Sequence, residues 1–345
     1  MISVGGFALG LLMGLLAGLL NGIFLLPMRY TKKWAWENTW LCFSVLSCVL
    51  FPWIAASVAV PHLGSVLRSV PLTAFVPGVL AGLVWGIGQV MYGLGCGMVG
   101  IAVGSATISS TAIIAGILGP LIVYAPGQLL SSASLVLLAA TGLIVAGIYT
   151  YGKAGASKER ETAATSQPQV VAGSFRLGLT ICLICGVLGT AFVYGGKSST
   201  MLVDAAKSAG APPFMAFYVA YAVTFNAGAI AGVIFSGYKL FKNKTAANFR
   251  SGNAFLWNFA MAAAMGLLWY CALLSYGMGS EKLGKMGASV AFALFSSGTV
   301  LFANLFGWLA GEWKGASRKT IQGFIKGMAY IVGAILLIAF GLKTQ

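Results

Sequence analysis

Residues 82–100 read GLVWGIGQVMYGLGCGMVG, an apolar run that carries Trp85, Gln89 and Tyr92 and crowds its end with glycines. Residues 266–284 read GLLWYCALLSYGMGSEKLG, and Gly82, Leu83, Trp85, Tyr92, Gly93, Gly95 and Gly100 all recur there at a constant offset of 184 residues. Each run is long enough to cross a hydrocarbon core of about 30 Å as a helix. The repetition of an uncommon Trp and Tyr marks a duplicated unit rather than chance among glycines and leucines.

The rest of the chain has the same character. Of 345 residues, 59% are hydrophobic and 8% charged, against about 25% charged in soluble domains. A soluble fold has no means of hiding that much apolar surface, so the chain reads as integral to a membrane. Without period-2 alternation, an outer-membrane barrel is excluded. The hydropathy predicts ten helices, at about 4–26, 38–60, 73–96, 99–124, 132–151, 175–195, 213–236, 254–277, 287–310 and 323–342. The first run lacks a basic start and a small-residue cleavage site, and reads as a helix rather than a cleaved signal.

Residues 152–174 form the single long polar linker, between five helices and five. Five is odd, so the second half re-enters the membrane reversed. The fold expected is therefore all-α, with ten transmembrane helices in two inverted five-helix repeats, 1–151 and 175–345, joined by a cytoplasmic linker. That plan is common among secondary transporters. The net charge of +15 belongs to topology rather than to nucleic acid: 15 of the 21 basic residues fall in loops after odd-numbered helices. By the positive-inside rule both termini then lie outside the cytoplasm.

Trp85, Gln89 and Tyr92 stand at i, i+4 and i+7 and form one helix stripe. Trp269 and Tyr276 repeat it, with Leu273 in the place of the amide. A Gln amide in lipid needs partners, so the stripe should face the bundle or a wet cavity. Rings beside an amide suit a neutral polar solute such as a sugar, covering its C–H faces while the amide binds hydroxyls. Asn258 shares a helix face with Trp269, and Asn226 and Asn21 are further buried amides, so Trp85, Gln89, Tyr92, Asn258, Trp269, Tyr276, Asn226 and Asn21 are the expected lining. The plain alternative is a packing seam in which these amides bond across helices.

Other chemistry is thin. Cys182 and Cys185 form a CxxC, but no second pair or nearby histidine accompanies it, and packing is the better reading. None of the six acidic residues falls mid-helix, and Glu37 and Glu312 sit beside Lys32, Lys33 and Lys314, where they read as solvated ion pairs. No metalloprotease, magnesium or nucleophile-elbow motif appears, so neither an enzyme nor a cofactor or metal site is expected.

The segments KKWAWENTW (32–40 with Thr31 before them), FPWIAA, WGIGQVMYG, GLLWY with SYG, and GEWKGASRK, in that order, resemble the bacterial L-rhamnose–proton symporter family of the drug/metabolite transporter superfamily, from about residue 21 to 340. The resemblance implies ten helices in two repeats in the bacterial inner membrane, alternating access, and import of a deoxy sugar with a proton. The residues alone leave a second reading open: a related drug/metabolite-type carrier of a ureide, nucleobase or amphipathic compound, with or without coupling. The partners expected are thus a small solute, through the resemblance a proton, and surrounding lipid.

Overall fold

In a computed structural model the chain is helical, and the structure describes residues 4–99, 101–162, 175–250, 252 and 254–341. Among them are ten helices long and apolar enough to cross a membrane: α1 Gly5–Tyr30, α2 Trp36–Ala59, α3 Leu72–Cys96, α4 Val103–Tyr124, α5 Ser132–Lys158, α6 Arg176–Ser198, α7 Tyr218–Lys242, α8 Ala254–Lys282, α9 Gly284–Leu309 and α10 Arg318–Gly341. No strand occurs among the described residues.

Several helix ends depart from the sequence reading for identifiable reasons. The helix of α5 runs on to Thr162, into the expected linker, whose residues 163–174 lie outside the described part. Its last turn presents Glu161, which accepts bonds from the Ser317 N–H (2.8 Å), the Ser317 hydroxyl (2.7 Å) and the Thr320 hydroxyl (2.6 Å). These bonds satisfy the open N-terminus of α10, which accordingly starts at Arg318 rather than 323. The Ser317 N–H foremost, with the two hydroxyls, holds the Glu161 carboxyl below the ordinary glutamate range. α2 is widened by a π turn over Leu46–Leu50, directly ahead of Pro52. Proline removes a backbone donor, and the looser turn absorbs the defect. The Ser47 hydroxyl donates to the Phe43 carbonyl there (2.7 Å).

The chain divides into two compact units: Met1–Gly22, Met91–Leu188 and Gly279–Gln345 in one, and Ile23–Val90 with Gly189–Met278 in the other. Each draws on both halves of the sequence. The first packs through small residues. A Cβ added at Gly18 of α1 would lie 2.6 Å from the Gly298 Cα of α9, and Gly10 and Gly14 abut Leu283 and Leu294 in the same way. The Gly10–Gly14–Gly18 spacing thus works as a small-residue seam. Gly147 of α5 similarly meets the backbone of Gly327 on α10. Cys182 and Cys185 sit in an apolar cluster with Cys96, Val99 and Ile108, and no metal-ligating group of three forms among the described residues.

The second unit packs through rings. Phe225 of α7 is fully buried, with its ring edge-on to Trp85 of α3 (5.4 Å), Trp269 of α8 (5.3 Å) and Tyr221 (5.1 Å). Backbones touch here along α3 and α7, at Gly82 with Thr224 and at Gly86 with Gly228. A Cβ on Gly82 of α3 would run into the Thr224 carbonyl of α7, while its counterpart Gly266 on α8 faces Phe51 and Ser47 of α2.

Candidate functional site

The second unit contains a cavity of about 50 Å³, lined by the end of α1 and by α2, α3, α7 and α8. One water needs roughly 10–15 Å³, so it holds a few. Trp85 and Trp269, the echoed pair, meet there with ring centroids 5.6 Å apart and planes tilted by 32°. Gln89, one turn beyond Trp85, lines the same space. The other walls come from Phe24, Trp40, Phe43, Ser44 and Cys48, opposite Gly228, Ala229 and Gly232 of α7. Trp40 packs on Phe43 (5.0 Å), and Phe43 stands edge-on to Trp269 (6.0 Å).

The polar groups of this cavity are few and uncommitted. Among the described residues, neither the Gln89 amide nor the buried Ser44 hydroxyl has a hydrogen-bond partner. No charged side chain lines the space. Rings that cover C–H faces, with an amide and a hydroxyl left open, fit a neutral polyhydroxy solute and would desolvate a charged one at a large penalty.

The other expected lining residues are placed elsewhere. Asn258 is fully buried and committed to structure: it accepts from the Lys32 N–H (2.8 Å) and donates to the Lys32 carbonyl (2.6 Å). Tyr276 is buried edge-on to Phe192 (5.7 Å). Asn226 is half-buried on α7, has no hydrogen-bond partner among the described residues and is not in the cavity wall. Tyr92 falls in the first unit, half-exposed beside Cys96, so the three-residue stripe read from sequence is divided after Gln89. Asn21, also in the first unit, donates to the Thr299 hydroxyl of α9 (3.1 Å). That is the interhelical bond of the packing alternative.

The α2 contribution went unread because WAWENTW looks like an interfacial belt. Its signal is the spacing Trp40, Phe43, Ser44 and Cys48, which at i, i+3, i+4 and i+8 forms one face. The stretch that opens α2 is also held down tightly. Lys33 takes a left-handed conformation (φ 62°) between the clasped Lys32 and Trp34. Trp34 is buried edge-on to Phe249 (5.2 Å) and Phe255 (5.8 Å). Asn38 caps α2, accepting from the Ala35 N–H (3.0 Å) and donating to the Thr245 carbonyl (3.0 Å).

Glu37 corrects a sequence expectation. It is not a solvated partner of Lys32 or Lys33 but is 5% exposed, accepting from the Asn243 amide (2.9 Å) and the Thr245 hydroxyl (2.6 Å). Those partners lie 206 and 208 residues away, at the end of α7 and in the turn after it.

Comparison with known proteins adds an independent line. Residues 4–344 match the profile of the family described as L-rhamnose-proton symport protein (RhaT). The chain is 27% identical over 348 residues to an L-rhamnose-proton symporter of Cronobacter sakazakii, covering 98% of each chain. A protein of the same description from Escherichia coli is 25% identical over 329 residues, with 93% of this chain and 94% of its own covered. One from Citrobacter koseri is 24% identical over 327 residues, with the same shares covered.

Proposed function

We propose a sugar carrier from one premise: the chain belongs to the L-rhamnose-proton symport protein family. It is a multi-pass inner-membrane transporter and not an enzyme, and it moves a sugar together with a proton. The finer reading is that the sugar is L-rhamnose or a close deoxy analogue, carried inward by alternating exposure of a central site. The observation that carries it is the cavity where Trp40, Trp85 and Trp269 surround the open Ser44 hydroxyl and Gln89 amide. A deoxy sugar has the matching surface: C–H faces for the rings and a few hydroxyls for two polar groups.

Two inverted five-helix repeats with both termini outside the cytoplasm complete the reading. The helix partners in the second unit support the repeat. α3 rests its Gly82 on α7, and α8 rests the equivalent Gly266 on α2, so each half's third helix packs on the other half's second. The charge distribution supports the orientation.

Purified protein in liposomes, loaded with unlabelled L-rhamnose and diluted into labelled L-rhamnose, should show counterflow that other 6-deoxyhexoses compete away. Competition by a ureide or nucleobase, with none by any sugar, would move the assignment to the second carrier class. External alkalinisation during uptake reports the proton.

A further inference from the structure

Behind the cavity lies a line of buried polar groups that the sugar reading does not use. α2 and α7 run antiparallel in the second unit, because Ser44 faces Gly232 while Glu37 bonds to Asn243. A Cβ added at Gly232 would be 3.3 Å from the Ser44 oxygen. Glu37 and Ser44 stand at i and i+7, on one face of α2 and roughly 10 Å apart along its axis. Between these two contacts, one turn beyond Gly232 on α7, comes Ser236. It is fully buried, and its hydroxyl has no hydrogen-bond partner in the structure.

Thr224, Tyr270 and Ser280 also bury hydroxyls without a partner, but Ser236 is the one that falls between Gly232 and Asn243 on α7. Many hydroxyls in the spans return to their own helix, as Ser47 does to Phe43, Thr111 to Thr107 and Ser297 to Ala293. Such back-bonding is the ordinary resting state of a helical Ser or Thr. Ser236 forgoes it, and an unsatisfied buried hydroxyl needs an explanation.

Glu37 raises the matching question. Among the carboxylates whose burial is described, Glu37 is the buried one; Glu161, Asp204, Glu281 and Glu312 are exposed, as is His62. Its direct partners are an amide and a hydroxyl, each able to turn from donor to acceptor. The clasp can therefore hold the carboxyl in either protonation state, which an arginine partner would not allow. The charged group facing Glu37 is Lys239 of α7, whose ammonium also lies 5.6 Å from the Phe235 ring. The side chains of Asn243 and Thr245 that face it are neutral.

We propose that Glu37 is the proton-binding group of the transport cycle, connected to the sugar cavity through the Ser236 and Ser44 hydroxyls. This rests on the sugar–proton symport reading. The proton adds to one Glu37 carboxylate oxygen, which becomes a donor as Thr245 or Asn243 turns to accept. The same proton leaves on the other side of the membrane, and no other bond forms or breaks. A charge that changes within the same helix pair as the cavity wall gives the sugar a group to sense, which a solvated surface carboxylate does not.

The test uses wild type, Glu37→Gln and Ser236→Ala in liposomes, with the membrane potential clamped and the interior one pH unit alkaline. For one proton per sugar, wild type should accumulate labelled L-rhamnose up to about tenfold, the ratio that one pH unit sustains. Glu37→Gln keeps the shape and the clasp; its accumulation ratio should fall to about one. Counterflow, which moves no net proton, should stay within about threefold of wild type. Ser236→Ala removes a hydroxyl with no partner to lose, and should slow pH-driven uptake about tenfold with counterflow unchanged. Tenfold accumulation by Glu37→Gln, loss of its counterflow along with its accumulation, or wild-type pH-driven rates in Ser236→Ala would each overturn the proposal. If wild type itself neither exchanges nor accumulates L-rhamnose, the symporter reading fails before any variant is compared.

Discussion

Both compact units must pack helices where lipid offers no hydrophobic drive between them, and they do it with different side chains. In the unit of Met1–Gly22, Met91–Leu188 and Gly279–Gln345, glycine seams bring backbones into contact, as at Gly18 against Gly298 and Gly147 against Gly327. In the unit of Ile23–Val90 and Gly189–Met278, Trp85, Trp269, Phe225 and Phe43 act as spacers. Backbones that touch leave no room for a solute, whereas rings meeting at 5–6 Å leave gaps of irregular shape. The cavity, the orphan hydroxyls of Ser44 and Ser236 and the buried Glu37 all fall in the ring-packed unit. Bulk at the Gly18 seam should accordingly be lethal to folding, and bulk at the cavity wall to transport.

The sharpest way to break that contrast is to add side chains at glycines in each. Gly18→Leu forces a side chain into the Gly298 backbone, and should destabilise by roughly 3 kcal/mol or more. Little folded protein should survive size-exclusion chromatography in detergent. Gly232→Ala adds a methyl beside Ser44 at 3.3 Å, at the cavity wall. It should leave the melting temperature within about 2 °C while cutting L-rhamnose counterflow at least tenfold. Equal loss of folded protein from both would erase the distinction between the units.

A second pair of variants separates two amides of the same kind inside the ring-packed unit. Asn258→Leu strands the Lys32 N–H and carbonyl, and should lower stability by about 2 kcal/mol, visible as a lowered unfolding temperature. Gln89→Leu loses no hydrogen bond within the described protein, so its melting temperature should hold while counterflow falls about tenfold or more. A Gln89→Leu protein that transports normally would return the amide to a packing role.

That pair also marks the limit of what the chain reveals before folding. Ten helices, and the paired tryptophans behind the 184-residue echo, were legible because hydropathy and recurrence are properties of the string itself. Asn258 and Gln89 were not separable, since what divides them is a peptide group 226 residues away from Asn258. Glu37 was misread for the same reason: its neighbours in sequence are lysines, and its neighbours in space are Asn243 and Thr245. Helix ends were misplaced at α10, where the cap comes from Glu161 on a helix 156 residues earlier. Periodicity reports which face is apolar, not which polar group will find a partner.

The same cap supplies the smallest effect, and a polar control in the glycine-packed unit. Glu161 is held below the ordinary glutamate value of 4.5, first by the Ser317 N–H and then by the Thr320 and Ser317 hydroxyls. A carboxylate whose folded pKa is depressed contributes stability that is fully present above its unfolded value and is lost as pH falls through the folded one. Wild type should therefore unfold at a slightly higher temperature than Glu161→Gln near neutral pH. The gap should begin to close below about pH 4.5 and vanish once both forms are uncharged. Because the carboxylate is solvated, the gap at pH 7 should be at most a few degrees and should shrink in high salt. A gap that persists unchanged at acid pH would mean that the cap acts through its hydrogen-bond geometry alone, with the charge at the α10 N-terminus contributing nothing.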